Sequence, residues 1–203
     1  MSVIFGCIDF EAFGLDVLAL PISAGIVFYD PQQQQIYNPS EWMIEWGNAM
    51  AQKPDRWDMP TSGIDWWRDI ASKDPEAADT LYRNDRHTVE QVAYALHAAQ
   101  YEWVKAGWRV VMMYQGKDYD LPKLREMYRL IDQKDPVHYR DHLCMRDLWN
   151  SWENLCPNPE PHAEWFEQAS SRHHRALDDA CWTISRFAKL MVNHPEAMAR
   201  WTT

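Results

Sequence analysis

The chain has no closely spaced cysteine pair. Its four cysteines are Cys7, Cys144, Cys156 and Cys181, and no two of them fall in a Cys-x-x-Cys spacing. The sequence therefore indicates neither a zinc knuckle nor a thioredoxin-like redox site, since both use that spacing. We expect free thiols, as in a reducing cytoplasm.

A long hydrophobic run is also missing. The longest apolar stretch, from Leu15 to Tyr29, is interrupted by Asp16, Pro21 and Ser23 and is too short to cross a bilayer. Met1 is followed at once by a strand-like segment, so we expect no signal peptide. The sequence therefore predicts a cytoplasmic protein without a membrane partner.

The chain carries no excess of basic residues, because its formal net charge is −10. Proteins that bind nucleic acid through bulk charge usually carry a basic field, so this class is disfavoured. An acidic enzyme that captures an anionic chain through metal ions remains compatible with this charge.

What the chain does have is enough apolar sequence for a core. It contains 203 residues, of which 46% are hydrophobic, and we expect a single globular domain over residues 1–203. Twelve tryptophans need a core, a stacking platform or a partner surface, which makes a homodimer a reasonable expectation.

Hydrophobic periodicity predicts an α/β fold with a mixed sheet flanked by helices. After a first strand that begins at Val3, the expected strands are Ile22–Tyr29 and Trp42–Trp46 in an antiparallel meander, then Arg109–Tyr114 and Val137–Arg140. The expected helices are Ile64–Ile70, Pro75–Arg83, one from a Thr88/Gln91 capping box to Gly107, one opened by Asp120-Leu121-Pro122, one from Asp147 to Leu155, and one that begins near His174.

Two carboxylates interrupt the end of the first strand. Asp9 and Glu11 are two residues apart, so both side chains leave an extended strand on the same face. Adjacent carboxylates repel each other, and hard cations such as Mg²⁺ or Mn²⁺ offset that cost. The alternative is a strand end whose acids point into solvent.

Two later acids are candidates for the same site. Asp120 follows a strand at the start of a helix, where sites in open α/β sheets usually lie, although it could be only a helix cap and Asp118 is a rival. His174 and Asp179 approach each other if His174 lies in the loop that enters the last helix. His173 with Asp178 is the competing register.

Together these motifs resemble the DnaQ-like exonucleases of the DEDDh type. The resemblance consists of Asp9-x-Glu11, Gly116-x-x-Tyr119-Asp120 and His174-x-Ala-x-x-Asp179-Ala180, in that order. Ile64-Asp65-Trp66-Trp67 and Pro75-Glu76-Ala77 are similar to a segment of phage exonuclease A and a mycobacterial exoribonuclease group. A bacterial or phage-infected cytoplasm is the setting that this branch implies.

The resemblance implies an RNase H-like fold and 3′→5′ hydrolysis of single-stranded DNA or RNA to nucleoside 5′-monophosphates. Two Mg²⁺ or Mn²⁺ ions would be held by the four acids Asp9, Glu11, Asp120 and Asp179, with His174 as the general base. The expected substrate contacts are Phe10, Trp66, Trp67, Tyr119 and Arg175. For Trp66 and Trp67, burial in the core is the alternative to stacking on bases.

Other basic residues lie among a similar number of acids, which predicts a solvated surface rather than a phosphate track. They are Lys117, Lys123, Arg125, Arg129, Lys134, Arg140 and Arg146; Arg172 and Arg175 are better candidates for substrate contact. Two other functions stay open: a hydrolase of short oligonucleotides or nucleotides, and a catalytically silent nucleic-acid-binding module.

Overall fold

The computed structural model describes residues 2–47, 56–149 and 174–193. Within them a six-stranded sheet has the order β4-β3-β2-β1-β5-β6. The strands are β1 (Val3–Ala12), β2 (Pro21–Asp30), β3 (Gln35–Ile44), β4 (Arg86–His87), β5 (Arg109–Tyr114) and β6 (His142–Cys144). The main helices are α1 (Thr61–Ala71), α2 (Pro75–Tyr82), α3 (Val89–Lys105), α4 (Lys117–Leu130) and α5 (Ala176–Asn193), and residues 145–149 are also helical.

The sheet is mixed, as the sequence predicted. β1, β2 and β3 pair antiparallel in a meander, and β1–β5, β5–β6 and β3–β4 pair parallel. The third strand begins earlier than its predicted range of 42–46, because the mixed segment from Gln35 to Ser40 also pairs with β2, and it ends at Ile44. Their backbone groups complete the ladder whatever the side chains are, so hydrophobic alternation could not reveal them.

Side chains of β1 alternate between two cores. Ile4 and Ile8 join a cluster with helices α1 to α4, whereas Phe5 and Cys7 join a cluster with α5. In α5, Ala180, Ile184 and Phe187 are fully buried against the second face, as the helical stripe predicted. Because period-2 alternation continues along β1, Asp9 and Glu11 project toward the face that α5 covers.

Three predicted boundaries were wrong. The helix expected to open at Asp120 begins at Lys117, because the N–H groups of Tyr119 and Asp120 both bond to the carbonyl of Gly116; Pro122 therefore lies inside it. The strand expected at residues 137–140 lies instead at His142–Cys144, beside the carboxyl half of β5. Asp147 lies within helical residues 145–149 rather than at a cap.

Other local predictions are confirmed. Thr88 and Gln91 form the capping box of α3, and Gly107 adopts a positive φ of 85° just after that helix ends. The predicted helical segment from 150 to 155 and Cys156 lie outside the described residues. Among the helices that the structure describes, none is long and apolar enough to cross a membrane.

Candidate active site

Three carboxylates meet where β1 ends beneath the start of α5. Asp9 and Glu11 come from the same face of β1, and Asp179 comes from the first turn of α5. Their ligand oxygens all lie within 4.8 Å of one another. This separation allows one cation to contact carboxylates from both elements.

Asp120 approaches the cluster from α4. It is 1% exposed, and one of its carboxylate oxygens accepts a hydrogen bond from the backbone N–H of Phe10 at 3.3 Å. Among the neighbouring charges, that of Asp120 raises the pKa of Asp9 most. Its rival Asp118 is exposed on the same helix.

The pKa values of these acids show that their charges are poorly compensated by the protein. Burial and then the charges of Asp179 and Asp120 raise the pKa of Glu11 to about 8. Burial also raises the pKa of Asp9, and that of Asp120 to about 7. Oxygen donors in this state fit a hard divalent cation, which restores the charged form of each carboxylate.

His174 lies in the turn just before α5, with a positive φ of 79°. Its carbonyl accepts a hydrogen bond from the hydroxyl of Thr80 at 3.0 Å. The edges and faces of Trp66 and Trp67 meet its ring, at centroid distances of 5.1 Å and 5.9 Å. These contacts place the imidazole at the cleft that Asp179 also lines. The competing residue His173 lies outside the described residues.

A cleft of about 970 Å³ opens over these groups. Its lining includes the three clustered acids and His174, and an apolar wall formed by Phe13, Leu15, Pro60, Gly63 and Trp66. The volume is that of an ordinary ligand site. The cleft therefore combines a charged floor with an apolar wall.

The two adjacent tryptophans occupy different environments. Trp66 is 48% exposed on the cleft wall, whereas Trp67 is fully buried and its Nε1–H donates to the carbonyl of Ala12 at 2.9 Å. Trp67 touches the cleft but also anchors α1 to the end of β1. Core burial, one of the two alternatives considered from the sequence, therefore describes Trp67, whereas the ring of Trp66 is open to solvent.

The remaining predicted contacts are divided between the cleft and its surroundings. Phe10 and Tyr119 line the cleft, and the hydroxyl of Tyr119 donates to the carbonyl of Gly14. Arg175 is not among the lining residues; its Nε donates to Glu41 at 3.0 Å. Arg172 lies outside the described residues.

One basic residue assigned to the solvated surface, Lys123, lies elsewhere, so that part of the prediction was wrong. Lys123 is fully buried, with its Nζ donating to the carbonyl of Asp16 at 2.6 Å and lying 3.7 Å from the centroid of the Tyr119 ring. Arg146 is exposed to solvent, and it also lines the cleft near Gly116. The spacing of Lys123 three residues after Asp120 on one helix was the available signal, and Arg146 had none beyond its charge.

Two solved exonuclease structures share the fold of this chain. E. coli ExoI, in a zinc-bound complex with single-stranded DNA, is 14% identical with a TM-score of 0.68, over 96% of this chain and 42% of that one. The nuclease domain of 3′hExo, a DEDDh family member bound to rAMP, is 13% identical with a TM-score of 0.61, over 95% of this chain and 94% of that one. This chain thus spans less than half of the length of ExoI.

No curated protein sequence matches the chain significantly. The family model of the 3′-5′ exoribonuclease Rv2179c-like domain, however, matches residues 5–191, which include all four acids and His174. The chain therefore belongs to the family of 3′-5′ exoribonuclease Rv2179c-like domains.

Proposed function

We propose that this domain removes nucleoside 5′-monophosphates from the 3′ end of single-stranded nucleic acid with the help of two divalent ions. The observation that carries the proposal is the convergence of Asp9, Glu11 and Asp179 within 4.8 Å, with Asp120 buried beside them. A binding module gains nothing from such a cluster, since uncompensated carboxylates repel both each other and phosphate.

Asp9, Glu11 and Asp179 would hold one ion, and Asp120 together with Asp9 would contribute to a second. When bound, the ions supply Lewis-acid activation of water and stabilise charge on the leaving 3′ oxygen. Mg²⁺ or Mn²⁺ suits a set of oxygen donors. The cations would also neutralise the acidic floor, which accounts for how a chain of net charge −10 accepts a polyanion.

His174 would accept the proton of the attacking water. An imidazole has an ordinary pKa of about 6.5, which suits a base that works near neutral pH. The ring lies at the cleft beside Trp66 and Trp67 rather than in the cluster of three acids. Its role would therefore be proton transfer and not metal binding.

The cleft wall would bind the terminal nucleotides. The exposed ring of Trp66 offers a stacking surface, and stacking on an aromatic side chain tolerates any base. Phe10 and Tyr119 would line the pocket for the terminal sugar and base, and Arg146 would contact a phosphate. For Arg175, the contact with Glu41 favours a structural role.

RNA is the first substrate to test, because the family description names an exoribonuclease. Single-stranded DNA is the second, since ExoI, which shares the fold, was solved with single-stranded DNA. A matched pair of DNA and RNA oligomers with the same sequence separates them. The homodimer and the cytoplasmic location stay predictions.

The deciding experiment uses 5′-labelled oligomers with Mg²⁺ or Mn²⁺. The proposal requires stepwise shortening from the 3′ end, release of nucleoside 5′-monophosphates, and no reaction in the presence of a chelator. A 3′-terminal phosphate should stop digestion, whereas a blocked 5′ end should not. Cleavage of a circular single strand would contradict an exonuclease, and hydrolysis restricted to dinucleotides would favour the short-oligonucleotide alternative.

A further inference from the structure

We propose that Glu41, on β3, is a positioning residue for His174. This inference rests on the proposed function, in which His174 is the general base. Glu41 lies outside every motif that the sequence indicated, and it is not among the residues that line the cleft. Its contacts nevertheless determine where the chain that carries His174 enters α5.

One row of residues crosses three strands at this point. Asp9 on β1 is paired with Gly25 on β2, and Gly25 is paired with Glu41 on β3. Residues paired directly across strands project on the same face, so Asp9 and Glu41 flank Gly25 on the side that α5 covers. The active-site acid and Glu41 are thus two strands apart in one register.

The start of α5 rests on Gly25. A Cβ at Gly25 would lie 2.4 Å from the backbone nitrogen of Leu177 and 2.5 Å from the carbonyl of Ala176. Only glycine therefore allows this close approach of helix and strand. The backbone at 176–177 is held directly above the row, with Glu41 beside it.

The carboxylate of Glu41 binds this backbone and its neighbours. Oε1 accepts from the N–H of Leu177 at 3.3 Å, and Oε2 accepts from Nε of Arg175 at 3.0 Å and from Nη1 of Arg83 at 3.4 Å. The side chain of Glu41 is only 4% exposed, so these are largely desolvated, charge-assisted contacts.

Glu41 supplies a cap that the local sequence lacks. The first α5 hydrogen bond from Asp179 ends on the carbonyl of Arg175, and an arginine side chain has no acceptor with which to cap the helix. A carboxylate at a helix N-terminus is favoured by the orphan N–H groups and the dipole. Here that carboxylate comes from a distant strand.

The position of His174 depends on the contacts of Glu41 more than the position of Asp179 does. Asp179 lies within α5, whose Ala180, Ile184 and Phe187 dock the helix on the sheet. His174 precedes the helix in a left-handed conformation that a non-glycine residue adopts at a cost, and the hydroxyl of Thr80 holds its carbonyl. Without Glu41, we expect the turn to relax while the metal ligands stay in place.

The test is steady-state kinetics on the substrate oligomer with saturating Mg²⁺, for Glu41→Ala, Glu41→Gln and Thr80→Val. Replacing a residue that orients a metal ligand typically costs about 10–100-fold in metal affinity or activity, and we expect the same range for a residue that orients a general base. We expect Glu41→Ala to lower kcat by about this factor, with little change in KM or in Mn²⁺ affinity. Glu41→Gln, which keeps the acceptor oxygen, should recover part of the loss. Thr80→Val should lower kcat in the same way.

The double variant with His174→Ala separates positioning from general stability. If Glu41 acts through His174, adding Glu41→Ala to His174→Ala should cost far less than it does in the wild type. The control is Asp141→Ala, which breaks the partly buried ion pair with Arg109 at the opposite end of β5 and should leave kcat unchanged.

Three results would overturn the inference: a folded Glu41→Ala protein with wild-type kcat, additive losses in the double variant, or a kcat loss explained by weaker Mn²⁺ binding. If Glu41→Ala does not fold, Glu41→Gln and Thr80→Val decide the question. Failure of the proposed function is a different observation, namely a wild-type protein without metal-dependent hydrolysis.

Discussion

The backbone N–H of Phe10 donates a hydrogen bond to the carboxylate of Asp120 across 3.3 Å. Phe10 is the residue between Asp9 and Glu11, so this bond joins the first turns of α4 directly to the strand that carries two of the acids. Asp118, two residues earlier on α4, is exposed and has no comparable contact with β1 among the described hydrogen bonds. The two aspartates are therefore a suitable pair for comparing a buried acid of the site with an exposed acid on the same helix.

We predict that Asp120→Ala lowers kcat more than about 100-fold, because a metal ion supplies several kcal/mol of transition-state stabilisation. Asp118→Ala should change kcat little. The apo Asp120→Ala protein should be at least as stable as wild type, since it removes a buried acid that repels Asp9. Rates at saturating Mn²⁺ and thermal unfolding of both variants check this, and the reverse order of the two rate losses would mean that Asp118 is the ligand.

The raised pKa values predict how the stability of the apo protein depends on pH. The folded-state pKa of Glu11 is about 8, against an ordinary value of 4.5, so the folded state binds the proton more tightly. The contribution of Glu11 protonation to the stability of the folded protein is fully present below about pH 4.5 and is lost as pH rises toward 8. We expect the Tm of the metal-free protein to fall across this window.

Divalent ions should reverse that loss. Mg²⁺ or Mn²⁺ binds the ionised carboxylates, so added metal should raise Tm more at pH 8 than at pH 5. Scanning calorimetry with and without chelator measures both effects, and Glu11→Gln is the control because it should reduce the pH dependence, leaving the part due to Asp9 and Asp120. A metal-free Tm that rises between pH 5 and 8 would contradict the uncompensated state of these acids.

Motifs whose chemistry is local in sequence could be predicted, and contacts between distant segments could not. Asp9-x-Glu11 reveals its shared face because alternation along a strand is fixed by geometry, and the capping box of α3 is a four-residue pattern. Glu41 has no local signal, since its partners Arg175 and Leu177 are more than 130 residues away. Its role follows only from the strand register that sets it beside Gly25.

Strand β3 illustrates the same limit in the fold. Its first six residues, Gln35 to Ser40, carry no hydrophobic alternation, and its pairing with β2 includes an irregular register between Ile26 and Phe28. Backbone hydrogen bonds to a neighbouring strand, rather than side-chain burial, make it a strand. A sequence pattern that records only side chains therefore underestimates its length.

The two adjacent tryptophans should respond oppositely to removal. We predict that Trp66→Ala weakens substrate binding, raising KM by a factor that corresponds to about 1–3 kcal/mol per stacked base, with little change in Tm. Trp67→Ala should instead destabilise the fold by about 3–5 kcal/mol, because it removes a fully buried ring and its bond to Ala12. Kinetics and denaturant unfolding of both variants measure the contrast. Equal effects on KM would argue against a distinct stacking role for Trp66.

Arg146 should contact substrate phosphate from the cleft rim. Arg146→Ala is predicted to weaken oligomer binding at every sequence and to reduce the slope of log affinity against log salt by about one. The control is Arg140→Ala, an exposed arginine that contacts Tyr139 and does not line the cleft. Binding is measured by fluorescence anisotropy with Ca²⁺ in place of the catalytic metal. An unchanged slope for Arg146→Ala would remove it from the phosphate path.

The sharpest prediction separates the role of His174 in proton transfer from the role of Asp179 in metal binding. His174→Ala should lower kcat by about 10²–10⁴-fold, the usual range for a positioned acid–base group. Mn²⁺ affinity should survive, because the three acids that meet within 4.8 Å do not include the histidine. Asp179→Ala should lower both kcat and Mn²⁺ affinity.

Metal titration by calorimetry and single-turnover rates distinguish the two effects. His173→Ala is the matched control, since the competing register pairs His173 with Asp178 and makes the opposite forecast. Our assignment expects only a small loss there, because it is the ring of His174 that packs against Trp66 and Trp67 at the cleft. A larger rate loss in His173→Ala than in His174→Ala would reverse the register and leave the Thr80 and Glu41 contacts without a catalytic residue to position.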